Sequence, residues 1–198
     1  MVTTNDDALA EKVNSLRNHG ASVSEEVRHR GAKPYLLPDF RMLGYNYRMT
    51  DLQGAVGLVQ LGKLDVFLDE RRRLSEAYAE GLADVQWLRT PSVPDGWRCG
   101  WQAYVCYVDE SRSPVTRNEI MEQLQSHGIS TRPGTHAVHM QEYYRERLGL
   151  ADEAFPNARD CDRCTMALPL HNRMSEDDCQ WVTSVLKALG KGVSGVGT

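Results

Sequence analysis

An α/β fold is what this 198-residue chain predicts, and three stretches carry the prediction. "WQAYVCYV", Trp101 to Val108, is dense in aromatic and β-branched residues and reads as a strand. "TMALPL", Thr165 to Leu170, reads as a second, shorter apolar strand stopped by Pro169. Capped helix patterns accompany them. Thr116 with Glu119 opens a helix through Ile120, Met121 and Leu124 that stops at His127-Gly128. Ser175 with Asp178 opens another, carrying Trp181, Val182, Val185, Leu186 and Leu189. With "GISTR" as the start of a strand before the Pro133-Gly134 turn, the order strand–helix–strand–strand–helix makes a small α/β sandwich.

The N-terminal elements have a different character. Residues 5–17 read as a short helix: Asn5 caps it, Asp6 and Asp7 favour its N-terminal dipole, and Leu9, Val13 and Leu16 recur at helical spacing. His19-Gly20 stops it. From Gly20 to Arg48 there is little periodicity, with Gly31, Pro34, Pro38 and Gly44 as breaks, and such a long loop points to function or a missing packing partner. It is locally basic: Arg28, Arg30, Lys33, Arg41 and Arg48 face only Glu25, Glu26 and Asp39. Thr50 and Gln53 then form a capping box, and an apolar face runs from Leu52 to Tyr78 along one helix ending near residue 82. Gly54, Gly57 and Gly62 weaken that helix, and their expected return is close approach of another backbone, as from a second subunit. The "ERRR" run, Glu70 to Arg73, reads as a solvated face with Asp69–Arg73 and Arg72–Glu76 pairs.

Composition excludes some classes. Apolar residues at 41% and charged residues at 25% describe a globular chain. A formal charge of -4 gives no global case for nucleic acid or an anionic membrane. No apolar run approaches the roughly 20 residues of a membrane-spanning helix. "MVTTNDDALAEK" has neither a basic n-region nor an apolar h-region, so the expected location is the cytoplasm. In that setting the 5 cysteines are expected as reduced thiols, with the Cys161/Cys164 pair packing along a helix side rather than holding metal.

Two stretches concentrate chemistry. In "GYNYRMT", Gly44 to Thr50, Asn46 can donate through its amide and Arg48 can add a charged fork suited to phosphate, both just ahead of a helix N-terminus. Tyr45 and Tyr47 flank them as rings able to line a flat cofactor or a sugar. An Asx-turn at Asn46 with a surface Arg48 explains the same residues as well. In "GISTRPGTHAVHMQEYY", Gly128 to Tyr144, Arg132, His136 and His139 crowd a Pro-Gly loop. Hydrogen bonding to a hydroxyl-rich or phosphorylated ligand fits this better than a metal, which lacks a carboxylate at matching spacing apart from Glu142. A loop His and a core His would be the plain alternative. "RNHG", Arg17 to Gly20, is either a similar site or only a helix stop.

"LRNHGAS", "LGYNYRMTDLQGAVGLVQLGKLD", "GISTRPGTHAVHMQEYY" and "FPNA…ALPLHNRMSEDD", taken in this order, resemble the DegT/StrS family of nucleotide-sugar aminotransferases. The "STRPGTHAVH" wording is most similar to its perosamine-synthase-like branch. The resemblance runs almost end to end. It implies the fold type I pyridoxal 5'-phosphate (PLP) transferase scaffold, with residues 1–48 as a remnant of the large domain and 49–82 as a long connecting helix. Residues 83–190 would then be the small C-terminal α/β domain and 191–198 a frayed tail. The family's cofactor is PLP, its expected amino donor glutamate and its acceptor a nucleotide-linked ketosugar. By resemblance, Asn46 contacts the PLP phosphate of a partner subunit in trans with Arg48 close by, which implies a homodimer. Tyr45, Tyr47, Arg132, His136 and His139 would approach the nucleotide sugar.

One departure matters. The family's Schiff-base lysine matches none of Lys12, Lys33, Lys63, Lys187 or Lys191; it belongs upstream of the segment matching "MVTTNDD". The expectation is a C-terminal piece that does not catalyse alone. Two alternatives stay open: a PLP-type sugar dehydratase on the same scaffold, and a non-catalytic dimerisation or binding fragment.

Overall fold

A computed structural model describes residues 2–23, 30, 35 and 37–190. Arg28, Gly31, Lys33 and Pro34 of the basic loop, and the tail read at 191–198, lie outside the described residues. The chain divides into two compact units, residues 1–62 and 63–198.

In the first unit, helix α1 spans Asp7–Leu16. Its cap is Asp6, not Asn5: the Asp6 carboxylate accepts from the Leu9 N–H at 3.1 Å. An aspartate both satisfies a free N–H and complements the dipole, so it displaces the neutral neighbour. After Arg17 the chain reverses through two left-handed residues, His19 at φ 60° and Gly20 at φ 79°. It then runs antiparallel to the 39–47 segment, with bridges at Asn18–Asn46 and Ala21–Phe40. Helix α2, Asp51–Leu61, begins on the Thr50/Gln53 capping box with both arms formed.

The helix read from Thr50 to residue 82 is in fact two. Gly62 and Lys63 form a turn, and helix α3, Leu64–Gly81, starts with no side-chain cap. Glycine's low helix propensity at the junction accounts for the break. Gly54 and Gly57 have nothing within 4 Å of where a side chain would project. Among the described residues, no backbone approaches them.

The second unit carries a sheet of β1 (Leu88–Arg89), β2 (Tyr104–Val108), β3 (Arg132–Pro133) and β4 (Thr165–Leu168) in the order β1-β2-β4-β3. Every neighbouring pair is antiparallel. Only the end of "GISTR" is strand, held by Arg132 opposite Ala167. Helices α4 (Arg117–Ser126), α5 (Glu142–Leu148), α6 (Pro156–Cys164) and α7 (Glu176–Leu189) complete the unit. Both arms of the capping boxes opening α4 and α7 are present.

Tyr104, Cys106 and Val108 alternate inward along β2 into a core shared with Tyr78 of α3 and Leu82 just after it, Ile120 and Leu124 of α4, and Leu186 of α7. The Tyr78 hydroxyl donates to the Pro169 carbonyl at 2.9 Å, and burial pushes its ionisation far above the usual phenol range. On the other sheet face, Val105 and Tyr107 join α6 in lining an open cavity of about 480 Å³.

The arginine run is only partly a solvated face. Arg72 pairs with Asp69 at 3.3 Å and Glu76 at 3.7 Å, while Arg73 reaches Glu176 at 3.5 Å in place of Asp69. Arg71 turns inward. Its Nη1 donates to the carbonyls of Trp101 at 2.9 Å and Gln102 at 3.1 Å, and its Nε to Asn172 Oδ1 at 3.3 Å. Asn172 in turn donates to Glu70 Oε2 at 3.0 Å and the Phe67 carbonyl at 3.2 Å. Trp101, at φ 45° and stacked on Tyr104, is thereby held in a left-handed conformation that bulky residues seldom adopt.

Candidate functional site

The residues of "RNHG" and "GYNYR" form one structure. His19 N–H donates to the Tyr45 carbonyl at 2.9 Å, Tyr45 N–H to Leu16 at 2.6 Å, and Tyr47 N–H to Arg17 at 2.9 Å. Two glycines allow this closeness. A Cβ on Gly44 would lie 2.1 Å from the Gly20 nitrogen, and one on Gly20 would lie 1.9 Å from the Met42 oxygen. Gly20 also needs its positive φ.

This pairing sets Asn18 beside Asn46 and brings Arg48 over both. Arg48 Nε donates to Asn46 Oδ1 at 3.0 Å, and Arg48 Nη1 donates to Asn18 Oδ1 at 3.2 Å. A guanidinium can only donate, so both amide orientations are fixed with oxygen toward Arg48. Asn46 Oδ1 thus has the arginine as a partner, and Arg48 is exposed, as a surface cation would be. Tyr45 and Tyr47 stack on each other, centroids 5.0 Å apart and planes 4° from parallel, and both are exposed. Amide N–H groups beside a guanidinium are a donor set that suits a phosphate. The residues present thus fit the phosphate end of PLP.

Asn18 was not singled out by sequence reasoning. The signal was there in "RNHG", but nothing local shows that it meets a segment 30 residues away.

The second group lies in the second unit. Arg132 is exposed at the start of β3. His136 is exposed, its Nδ1 3.9 Å from Asp162 Oδ1, and the same carboxylate accepts the Ala137 N–H at 2.9 Å. His139 is buried, its ring edge-on to Phe155 at 5.1 Å. Its Nε2 lies 3.0 Å from the Asp152 carbonyl, which requires a proton on Nε2. One histidine is presented and one packed, the arrangement of a loop His with a core His.

All 5 cysteines are free. Only one thiol of the Cys161/Cys164 pair packs: Cys164 is half-buried and Cys161 exposed. Burial pushes Cys106 up to about 12 and also raises Cys164 and Cys179, so these stay protonated near neutrality. No cluster of three or more His, Cys, Asp or Glu able to hold a metal occurs among the described residues.

Residues 1–187 match the model of the DegT/DnrJ/EryC1/StrS aminotransferase family. The chain belongs to that family. It is 34% identical over 193 residues to the spore coat polysaccharide biosynthesis protein SpsC of Bacillus subtilis, covering 97% of this chain and 49% of SpsC. Thus the chain spans about half the length of the curated relatives it matches. An aminotransferase from Psychrobacter cryohalolentis superposes with a TM-score of 0.85 at 18% identity, over 98% of this chain and 51% of that one. Spr1654 of Streptococcus pneumoniae, described as a putative sugar aminotransferase, gives in its PLP form 0.80 at 21% identity over 97% and 46%. These neighbours show the fold, that of the PLP-type aminotransferases, and Spr1654 was also solved in a PMP form.

Proposed function

We propose that the chain is the C-terminal part of a PLP-dependent aminotransferase that passes an amino group, with glutamate as donor, to a nucleotide-linked ketosugar. The product would feed polysaccharide, O-antigen or glycosylated-metabolite biosynthesis in the cytoplasm. The observation that carries this reading is the Asn46–Arg48 pair, an amide and a guanidinium bonded at 3.0 Å on a glycine-set turn before a capped helix. Family membership supplies the reaction class.

PLP, when bound, acts as an electron sink at the donor's α-carbon. The part of this chain is to hold and orient. Asn46 and Arg48 bind the phosphate of the cofactor seated in a second copy. Tyr45 and Tyr47 line the approach to it. Arg132 and His136 bind the phosphates or hydroxyls of the nucleotide sugar, and His139, fixed by Asp152, shapes their loop. The homodimer reading is supported by α2, whose Leu52, Leu58 and Leu61 are 77%, 74% and 65% exposed. None of Lys12, Lys33, Lys63, Lys187 or Lys191 is assigned the role of the cofactor-bearing lysine in this reading.

The test is co-expression with the lysine-bearing half of a family member, followed by transfer from ¹⁵N-glutamate to ketosugar nucleotides. Label should reach the sugar only when both pieces are present, and Asn46→Ala should lower kcat/KM by about a hundredfold. Transfer by the 198-residue chain alone, or none from any ketosugar nucleotide with both pieces, would overturn the reading.

A further inference from the structure

The geometry points to Asn18 as a second phosphate donor, and to Arg48 as the residue that positions both carboxamides rather than as a simple counter-charge. This deepens the phosphate role proposed for Asn46 and rests on it.

A carboxamide can meet an anion with its NH₂ or repel it with its oxygen, and in water it rotates freely between the two. Here rotation is blocked on both sides by one guanidinium. Arg48 spends Nε on Asn46 Oδ1 at 3.0 Å and Nη1 on Asn18 Oδ1 at 3.2 Å. Each Nδ2 is then the free end of its amide, and among the described residues neither has a partner. For Asn18 that is informative, because the residue is only 9% exposed. The buried side-chain polar atoms lacking a partner are Tyr104 Oη and Arg117 Nε among the described residues. Asn18 Nδ2 is not one of them, so it reaches the surface while the rest of the side chain is enclosed. A polar residue held in this way, with its donor at an opening beside Asn46, is set to bind rather than to pack.

The antiparallel bridge between Asn18 and Asn46 fixes the spacing of the two amides. The ligand chemistry is a phosphate monoester dianion, which accepts several N–H bonds at once. Arg48 adds its field but keeps two of its donors on the amides. Lysine cannot replace it, because a point charge does not bridge two oxygens in a fixed plane.

The test uses the full chain labelled with ¹⁵N, titrated separately with inorganic phosphate, PLP and pyridoxal, while the side-chain NH₂ signals are followed. Both Asn18 and Asn46 signals should shift saturably with phosphate and PLP, and neither with pyridoxal. Asn18→Ala should weaken phosphate binding by about tenfold. Arg48→Lys should weaken it about as much, and the backbone signals of residues 17–20 and 44–47 report whether the fold is kept. Shifts at Asn46 alone would overturn the role of Asn18 and leave the proposed function standing. Full affinity in Arg48→Lys would overturn the positioning role, and equal shifts with pyridoxal would overturn the phosphate assignment. Silence at both amides, with amino transfer still seen in the co-expression assay, would sink this inference without touching that reading.

Discussion

The two units bury their apolar residues very differently. In the second unit, Tyr78, Tyr104, Leu74, Leu82, Ile120, Leu124, Met166 and Leu186 are all but inaccessible. In the first, α1 and α2 have no buried residue at all. Yet α2 is the more apolar helix, with Leu52, Val56, Leu58, Val59 and Leu61 all exposed. A helix this rich in apolar residues usually packs them against another element. The lesson is that these units answer to different constraints: one holds a core of its own, whereas the helices of the other bury none of their residues among the described ones.

Truncation should separate them most sharply. Leu186→Ala or Leu124→Ala should cost about 2–5 kcal/mol in urea unfolding, the loss of transfer energy plus a cavity. Leu58→Ala, at a residue 74% exposed, should stay within about 0.5 kcal/mol when the chain is dilute and alone. Equal costs would break the comparison.

The caps sharpen it at a smaller scale. Thr116→Ala removes the acceptor of the Glu119 N–H at the head of α4 and should lower the stability of the second unit by about 1 kcal/mol. Thr50→Ala makes the same change at α2. It should leave that unfolding transition in place and appear only as faster amide exchange over residues 51–61.

Acid should give the smallest signal. Hydrogen bonds from the Ser175 backbone and hydroxyl hold Asp178 below the usual carboxylate range, and those from Thr116 do the same for Glu119. A carboxylate whose folded pKa is depressed contributes fully above its unfolded value, near ~4, and loses that contribution as pH falls through the folded one. The unfolding midpoint of the second unit should therefore hold from neutrality to about pH 5 and fall below about pH 4. A midpoint that falls above pH 5 would point to other groups.

The features legible in the sequence are those written locally. The capping boxes at Thr50, Thr116 and Ser175 rest on residues three apart, and the Tyr104–Val108 strand on its own composition. What escaped depends on distant partners. Strand β1 is two residues long and exists because Leu88 lies opposite Val108. Arg71 looks like its neighbours in "ERRR", and only contacts with Trp101, Gln102 and Asn172 mark it out. The same holds at the candidate site: Asn46 and Arg48 stand in a readable motif, whereas Asn18 joins them through a pairing that no window of sequence contains.

The contact between Gly20 and Gly44 bears on how natural variation in this segment should be understood. With a would-be Cβ 2.1 Å from the Gly20 nitrogen, Gly44 tolerates no larger residue, whether or not a ligand is ever bound. Substitution at either glycine thus speaks about foldedness, while substitution at Asn18 or Arg48 tests the phosphate role proposed for them. Were the proposed phosphate role relaxed, the asparagine and arginine would be free to drift first. The glycines would persist for as long as anything needed the scaffold.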